Sequence, residues 1–208
     1  MKNEEFYLAE LKEIRQMMEQ SSRFLSLSGL SGILIGIYAI VSSLAAYRMV
    51  YLQADVTPLI VSENMKMNLI LLGSSTLLLS LATIFWLTFR RIRKSGRKFW
   101  SPGSRLLVIN LAIPLISGGI LILIFIVRGI FGIVAPSCLI FYGLALINSA
   151  KFTRQEIFYL GLLQLSLGLL AALFPNFSLL FWGIGFGMVH LIYGSVMYFK
   201  YEYKAVSA

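Results

Sequence analysis

The sequence predicts an all-α protein, a polytopic bundle of six transmembrane helices behind an N-terminal cytoplasmic amphipathic helix. Three observations carry that prediction. Hydrophobic residues fill 58% of 208 positions, and the mean hydropathy is +0.82, too apolar for a domain whose whole surface faces water. The apolar residues gather into six runs, each about long enough to cross a hydrocarbon core of roughly 30 Å as a helix. Between the second and third runs lies RRIRKSGRKFWSPGSR, with Arg90, Arg91, Arg93, Lys94, Arg97, Lys98 and Arg105 close together. Lys and Arg beside membrane spans are retained on the cytoplasmic side, so this loop sets the sense of every span around it.

Residues 1–23 are expected to form the amphipathic helix. Tyr7, Leu11, Ile14 and Met18 follow a 4-3-4 spacing and make one apolar stripe. The opposite face mixes Lys2, Lys12, Arg15 and Arg23 with Glu4, Glu5, Glu10, Glu13 and Glu19. That balance is unlike the Lys-rich helices that lie on anionic lipid, and it suits a protein surface. The surface could be the chain's own cytoplasmic face, a second copy or another protein.

The transmembrane domain covers residues 24–208, with spans at about 24–46, 68–89, 106–127, 130–148, 157–173 and 179–199. With the N-terminus inside, only Arg48, Lys66 and Arg128 of the 18 Lys and Arg fall outside, which predicts one orientation with both termini cytoplasmic. The +9 charge is thus topological, and no nucleic-acid partner is expected. The basic residues Arg90, Arg91, Arg93, Lys94, Arg97 and Lys98 are candidate contacts for anionic lipid headgroups, at about 1 kcal/mol each. Trp86, Trp100 and Trp182, with Tyr47, Tyr51, Tyr198, Tyr201 and Tyr203, fall at predicted interfaces as belt residues.

Membrane helices associate by close packing along small residues. Gly29, Gly32, Gly36, Ala39, Ser43 and Ala46 make such a seam on the first span; Gly73, Thr76, Ser80 and Thr83 make one on the second, and the two are expected to touch. The fifth span aligns Gly161, Gln164, Gly168 and Ala171, and the sixth Gly183, Gly187, His190 and Gly194. Folding the last hairpin about Pro175–Phe177 sets Gln164 opposite His190, and the same arithmetic brings Asn110 near Asn148. These four residues form the candidate intramembrane polar site, either as interhelical glue or as the lining of a cavity for a ligand or proton. Pro114 and Pro136 fall inside the third and fourth spans, where each is expected to remove a backbone bond and bend its helix.

Catalytic chemistry has one weak foothold. Gly29-Leu30-Ser31-Gly32 matches the GxSG pattern of rhomboid-type intramembrane serine proteases, whose base is a histidine on a later helix, making Ser31 and His190 a candidate dyad. The pattern departs from that family: the motif is on the first span, the glycine follows the histidine by four residues, and the external loop motif is missing. One histidine and one cysteine, Cys138, cannot assemble a conventional metal or haem site, and no cofactor is expected. No Asp or Glu lies within the six spans, which weighs against coupled transport.

The segments FLSLSGLSGI, IPLISGGI, LIFYGLALINSAKF and LLFWGIGFGMVHLIYG resemble a family of small multi-pass bacterial inner-membrane proteins with no assigned activity. The resemblance implies the bacterial cytoplasmic membrane and the same architecture. It implies no functional residue. The function expected is that of a non-enzymatic membrane component binding a partner protein or an apolar ligand. The alternatives are a small facilitator, channel or transporter and, behind them, the protease.

Overall fold

The computed structural model describes Leu11 and residues 28–52, 63–95 and 100–203. Among these residues every regular element is helical. Six helices are long and apolar enough to cross a membrane. They are α1 (Gly29–Tyr47), which runs on through a π-helical turn at Arg48–Leu52, α2 (Glu63–Ser95), α3 (Pro102–Val127), α4 (Val134–Ser149), α5 (Gln155–Leu173) and a sixth, composite helix. That last helix is built from α6 (Ser178–Trp182), a π-helical stretch at Gly183–Val189, α7 (His190–Tyr198) and a final π-helical turn at Phe199–Tyr203.

Helix ends follow local chemistry more than hydropathy. α2 spans 33 residues and continues through Arg90–Ser95, where the sequence expects a loop. Arg and Lys are good helix formers and suit a helix C-terminus, so the backbone has no reason to stop where the apolar run stops. α3 starts at Pro102, four residues before its apolar run. Ser101 accepts from the Ser104 amide at 3.2 Å, and the Ser104 hydroxyl accepts from the Ser101 amide at 2.8 Å, with proline at the first helical position. Arg105 therefore belongs to α3.

The α3–α4 hairpin closes on Gly129, whose φ of 73° only glycine adopts without strain. The Ile130 amide reaches back to the Phe125 carbonyl at 2.8 Å and the Gly129 amide to Ile126 at 3.0 Å, the paired bonds of a Schellman cap. Pro136 stands third in α4, in the first turn, where amides have no intrahelical partner anyway. It removes no bond there, contrary to expectation. Pro114 does lie within α3. The carbonyl it frees, that of Asn110, accepts from Asn148 Nδ2 at 2.9 Å.

α4 and α5 make the most extensive contact, followed by α3 with α4 and α1 with α7. Leu146, Ala150, Ile157 and Leu160 form the core where α4 turns into α5. The seam of α1 does not face α2, as its spacing suggests. A Cβ at Gly29 or Gly32 would collide with the backbone at Gly194 or Tyr198, and one at Gly36 with the backbone of Gly187 and Leu191. α1 is thus laid against the sixth helix. In the same way Gly161 and Gly168 meet Gly143 and Ile140 of α4 rather than the sixth helix. Gly73 on α2 has nothing within 4 Å.

The last turn ties the basic end together. Glu202 accepts from the Gly29 amide at 2.5 Å, Ser28 Oγ at 3.2 Å and Arg91 Nη1 at 2.6 Å. A carboxylate at the start of α1 meets unpaired amides and the positive end of the helix dipole. Beside it, Lys200 and the Tyr201 hydroxyl both donate to Glu156 Oε1 at 2.7 Å, and Arg154 stacks 3.5 Å over the Tyr201 ring.

Candidate functional site

His190 opens α7 directly after the π-helical stretch. Wider turns of this kind interrupt the regular ladder of backbone bonds and commonly accompany special sites. Here the Gly185 carbonyl receives two side chains: Gln164 Nε2 donates to it at 2.6 Å and His190 Nδ1 at 3.0 Å. Gln164 and His190 are thereby brought together, their nitrogens 3.2 Å apart. On the far side of the ring the Tyr142 hydroxyl lies 2.8 Å from His190 Nε2.

This network assigns the tautomer. A proton on Nδ1 satisfies the Gly185 carbonyl, leaving Nε2 to accept from Tyr142. The opposite tautomer would press a lone pair against that carbonyl. The amide of Gln164 is fixed by the same argument, since turning it over would set two oxygens against each other. Gln164 Oε1 is buried without a hydrogen-bond partner, in the place where a Cβ on residue 185 would meet it. Glycine at 185 is therefore required for the amide to seat.

The cluster is sealed. Gln164 is 0% exposed and His190 3%, with Tyr142 and Phe186 stacked about the imidazole at 5.4 and 5.9 Å between ring centres. Both imidazole nitrogens are engaged, so the ring has no free position to offer a substrate. Sequence spacing finds Gln164 and His190 but misses Tyr142 and Gly185. Tyr142 was visible as a tyrosine in the interior of an apolar run, away from the predicted belts. No pattern reveals Gly185, because its role depends on a π-helical turn.

Ser31 and His190 are both buried but bonded elsewhere. The Ser31 hydroxyl donates to the Ser28 carbonyl at 2.6 Å, and no hydrogen bond joins it to His190 among the described residues. The glycines of the GxSG pattern, Gly29 and Gly32, serve the approach of α1 to α7. Asn110 and Asn148 do meet, through the Asn110 carbonyl, while the Asn110 side chain donates to Leu106 at 2.8 Å. No three His, Cys, Asp or Glu side chains converge among the described residues.

Of the basic candidates, Arg91 binds Glu202, Arg90 lies 5.8 Å from the Trp86 ring centre, Arg93 is exposed and Lys94 is on α2. Arg97 and Lys98 lie outside the described residues, as do Tyr7, Ile14 and Met18 of the proposed partner-binding stripe. Leu11 is exposed.

The structure also has an open groove of about 790 Å³ along one face of α4. Phe141, Leu144 and Ile147 of α4, Pro114 of α3 and Phe158 of α5 are among the residues that line it. Its volume falls within the range of small-molecule sites.

Among the described residues, the fold and these sites define an all-helical arrangement with six helices apolar and long enough to span a membrane. Comparison with models of protein families, with curated proteins and with solved structures finds no match in any of the three.

Proposed function

We propose that this chain is a non-enzymatic component of the bacterial cytoplasmic membrane, inserted with both termini in the cytoplasm, that binds an apolar ligand. The observation carrying this reading is the groove between α3, α4 and α5, an open and largely apolar recess at a surface that membrane insertion would set against lipid. A facilitator or channel needs its central polar groups turned towards a path. What supports binding over conduction is that the Tyr142 hydroxyl, the Gln164 amide nitrogen, both His190 nitrogens and the Gly185 carbonyl bond one another. What supports it over proteolysis is that Ser31 is bonded to its own turn.

The test is organic extraction of the purified full chain, followed by mass spectrometry. An apolar compound retained at close to one per chain, and lost from Leu144→Trp, is the expected result. A chain that retains nothing, in mild detergent as in bilayer discs, overturns the reading. Orientation is tested separately: Lys98→Cys should resist an impermeant thiol reagent added to intact cells and react once the membrane is opened.

A further inference from the structure

We infer that the groove along α4 holds one acyl chain of an anionic phospholipid, with its headgroup at Lys151. The inference rests on the apolar-ligand reading above and names the ligand's class. Length is the first argument. From Phe141 to Lys151 its lining follows ten residues of chain, roughly 15 Å at the helical rise of 1.5 Å per residue. That is about half the hydrocarbon thickness of a bilayer, the depth of a single leaflet. At the level of Phe141, α3 is packed directly on α4: Gly118 lies so close to the Phe141 ring that a Cβ would overlap it.

Polarity runs in the matching direction. Along α4 the lining is apolar up to Ile147, and the polar lining groups, Asn148, Lys151, Thr153 and Gln155, gather at the basic end. Two of them are already committed or enclosed: Asn148 donates to the Asn110 carbonyl, and Thr153 is buried. Lys151 and Gln155 are exposed at the mouth.

Charge decides the headgroup. Among the other cations at this end, Arg91 is paired with Glu202 and Lys200 with Glu156, while Arg154 is stacked on the Tyr201 ring. Lys151 is engaged by no carboxylate among the described residues, and no acid lines the groove. The nearest acid in sequence, Glu156, is held by Lys200 and Tyr201. A phosphodiester carrying a net negative charge fits an ammonium in that position, with the Gln155 amide as a second donor. A basic residue near a membrane surface contributes about 1 kcal/mol towards anionic lipid, a preference of roughly fivefold.

The experiment uses the full chain in detergent, titrated with phosphatidylglycerol or phosphatidylcholine bearing identical acyl chains, with bound lipid counted by native mass spectrometry. One phosphatidylglycerol should be held roughly fivefold more tightly than phosphatidylcholine. Lys151→Gln, at an exposed position that leaves the fold untouched, should erase that preference, and Leu144→Trp should release both lipids. Equal retention of the two lipids by the unaltered chain, both released by Leu144→Trp, overturns the anionic assignment while the apolar-ligand reading stands. Retention that ignores both substitutions overturns the site. Displacement of either lipid by the compound recovered in the extraction would assign the groove to that compound instead.

Discussion

α1 and α2 carry the same kind of signal, small residues every three or four positions, and the structure uses only one of them for close approach. Along α1 the glycines let the backbone of the sixth helix come within touching distance at Gly194 and Gly187. Along α2, Gly73 faces open space, and hydroxyls reach across to α1: Ser42 meets Thr76 at 2.5 Å and Thr83 meets Tyr38 at 3.5 Å. A small-residue stripe permits contact without choosing a partner. The choice falls to the pair of surfaces that both dispense with side chains, because only there does dispersion contact extend along two whole helices.

The sharpest way to break this contrast is one substitution made twice. Alanine exceeds glycine in helix propensity by about 1 kcal/mol, so Gly73→Ala, where a Cβ meets nothing, should leave stability unchanged or raise it by up to that amount. Gly194→Ala gains the same propensity but drives a methyl group into the backbone of Gly29, Gly32 and Ile33. It should cost about 3 kcal/mol net, at the upper end for overpacking. Unfolding of the detergent-solubilised chain measures both. Effects of the same sign would refute the distinction.

A smaller effect is expected at the polar centre of the same tight region. Tyr142→Phe removes the donor to His190 Nε2 and leaves a buried acceptor unpaired, at a cost of about 1–2 kcal/mol. Replacing both partners, Tyr142→Phe with His190→Phe, should recover part of that loss, since two apolar groups of similar shape leave nothing unpaired on that side. A double variant weaker than the sum of the two single changes would show that His190 matters chiefly through the Gly185 carbonyl.

Much of the architecture was legible in the sequence because helices of this length announce themselves by apolarity, and tight turns by Gly129 and Pro175. The facing of Gln164 and His190 was legible as well, since a short hairpin leaves little freedom of register. Partner choice was not: nothing in a glycine's spacing says whether α1 turns to α2 or to α7. The two prolines show the same limit. Pro114 and Pro136 look equivalent by hydropathy, yet one sits in a first turn and the other leaves a carbonyl that Asn148 must satisfy. The place of the groove on the α4 face was not legible for a related reason, because no residue type marks a space between helices.

The weakest link in the comparison is the hydroxyl pair that holds α2, and it offers the finest test. The Thr76 hydroxyl donates to the Leu72 carbonyl at 2.7 Å, so its oxygen is left to accept from Ser42. Thr76 keeps its bond to Leu72 when Ser42 is removed, and serine hydroxyls in helices commonly find partners by bonding back along the helix. The coupling energy from Ser42→Ala, Thr76→Ala and the double variant should therefore be small, about 0.6 kcal/mol, the typical value for interhelical bonds between membrane helices. A coupling above about 2 kcal/mol would mean that this bond, rather than the shape of the surrounding side chains, fixes α2 to the bundle, and the difference between the two helices would then be one of chemistry instead of closeness.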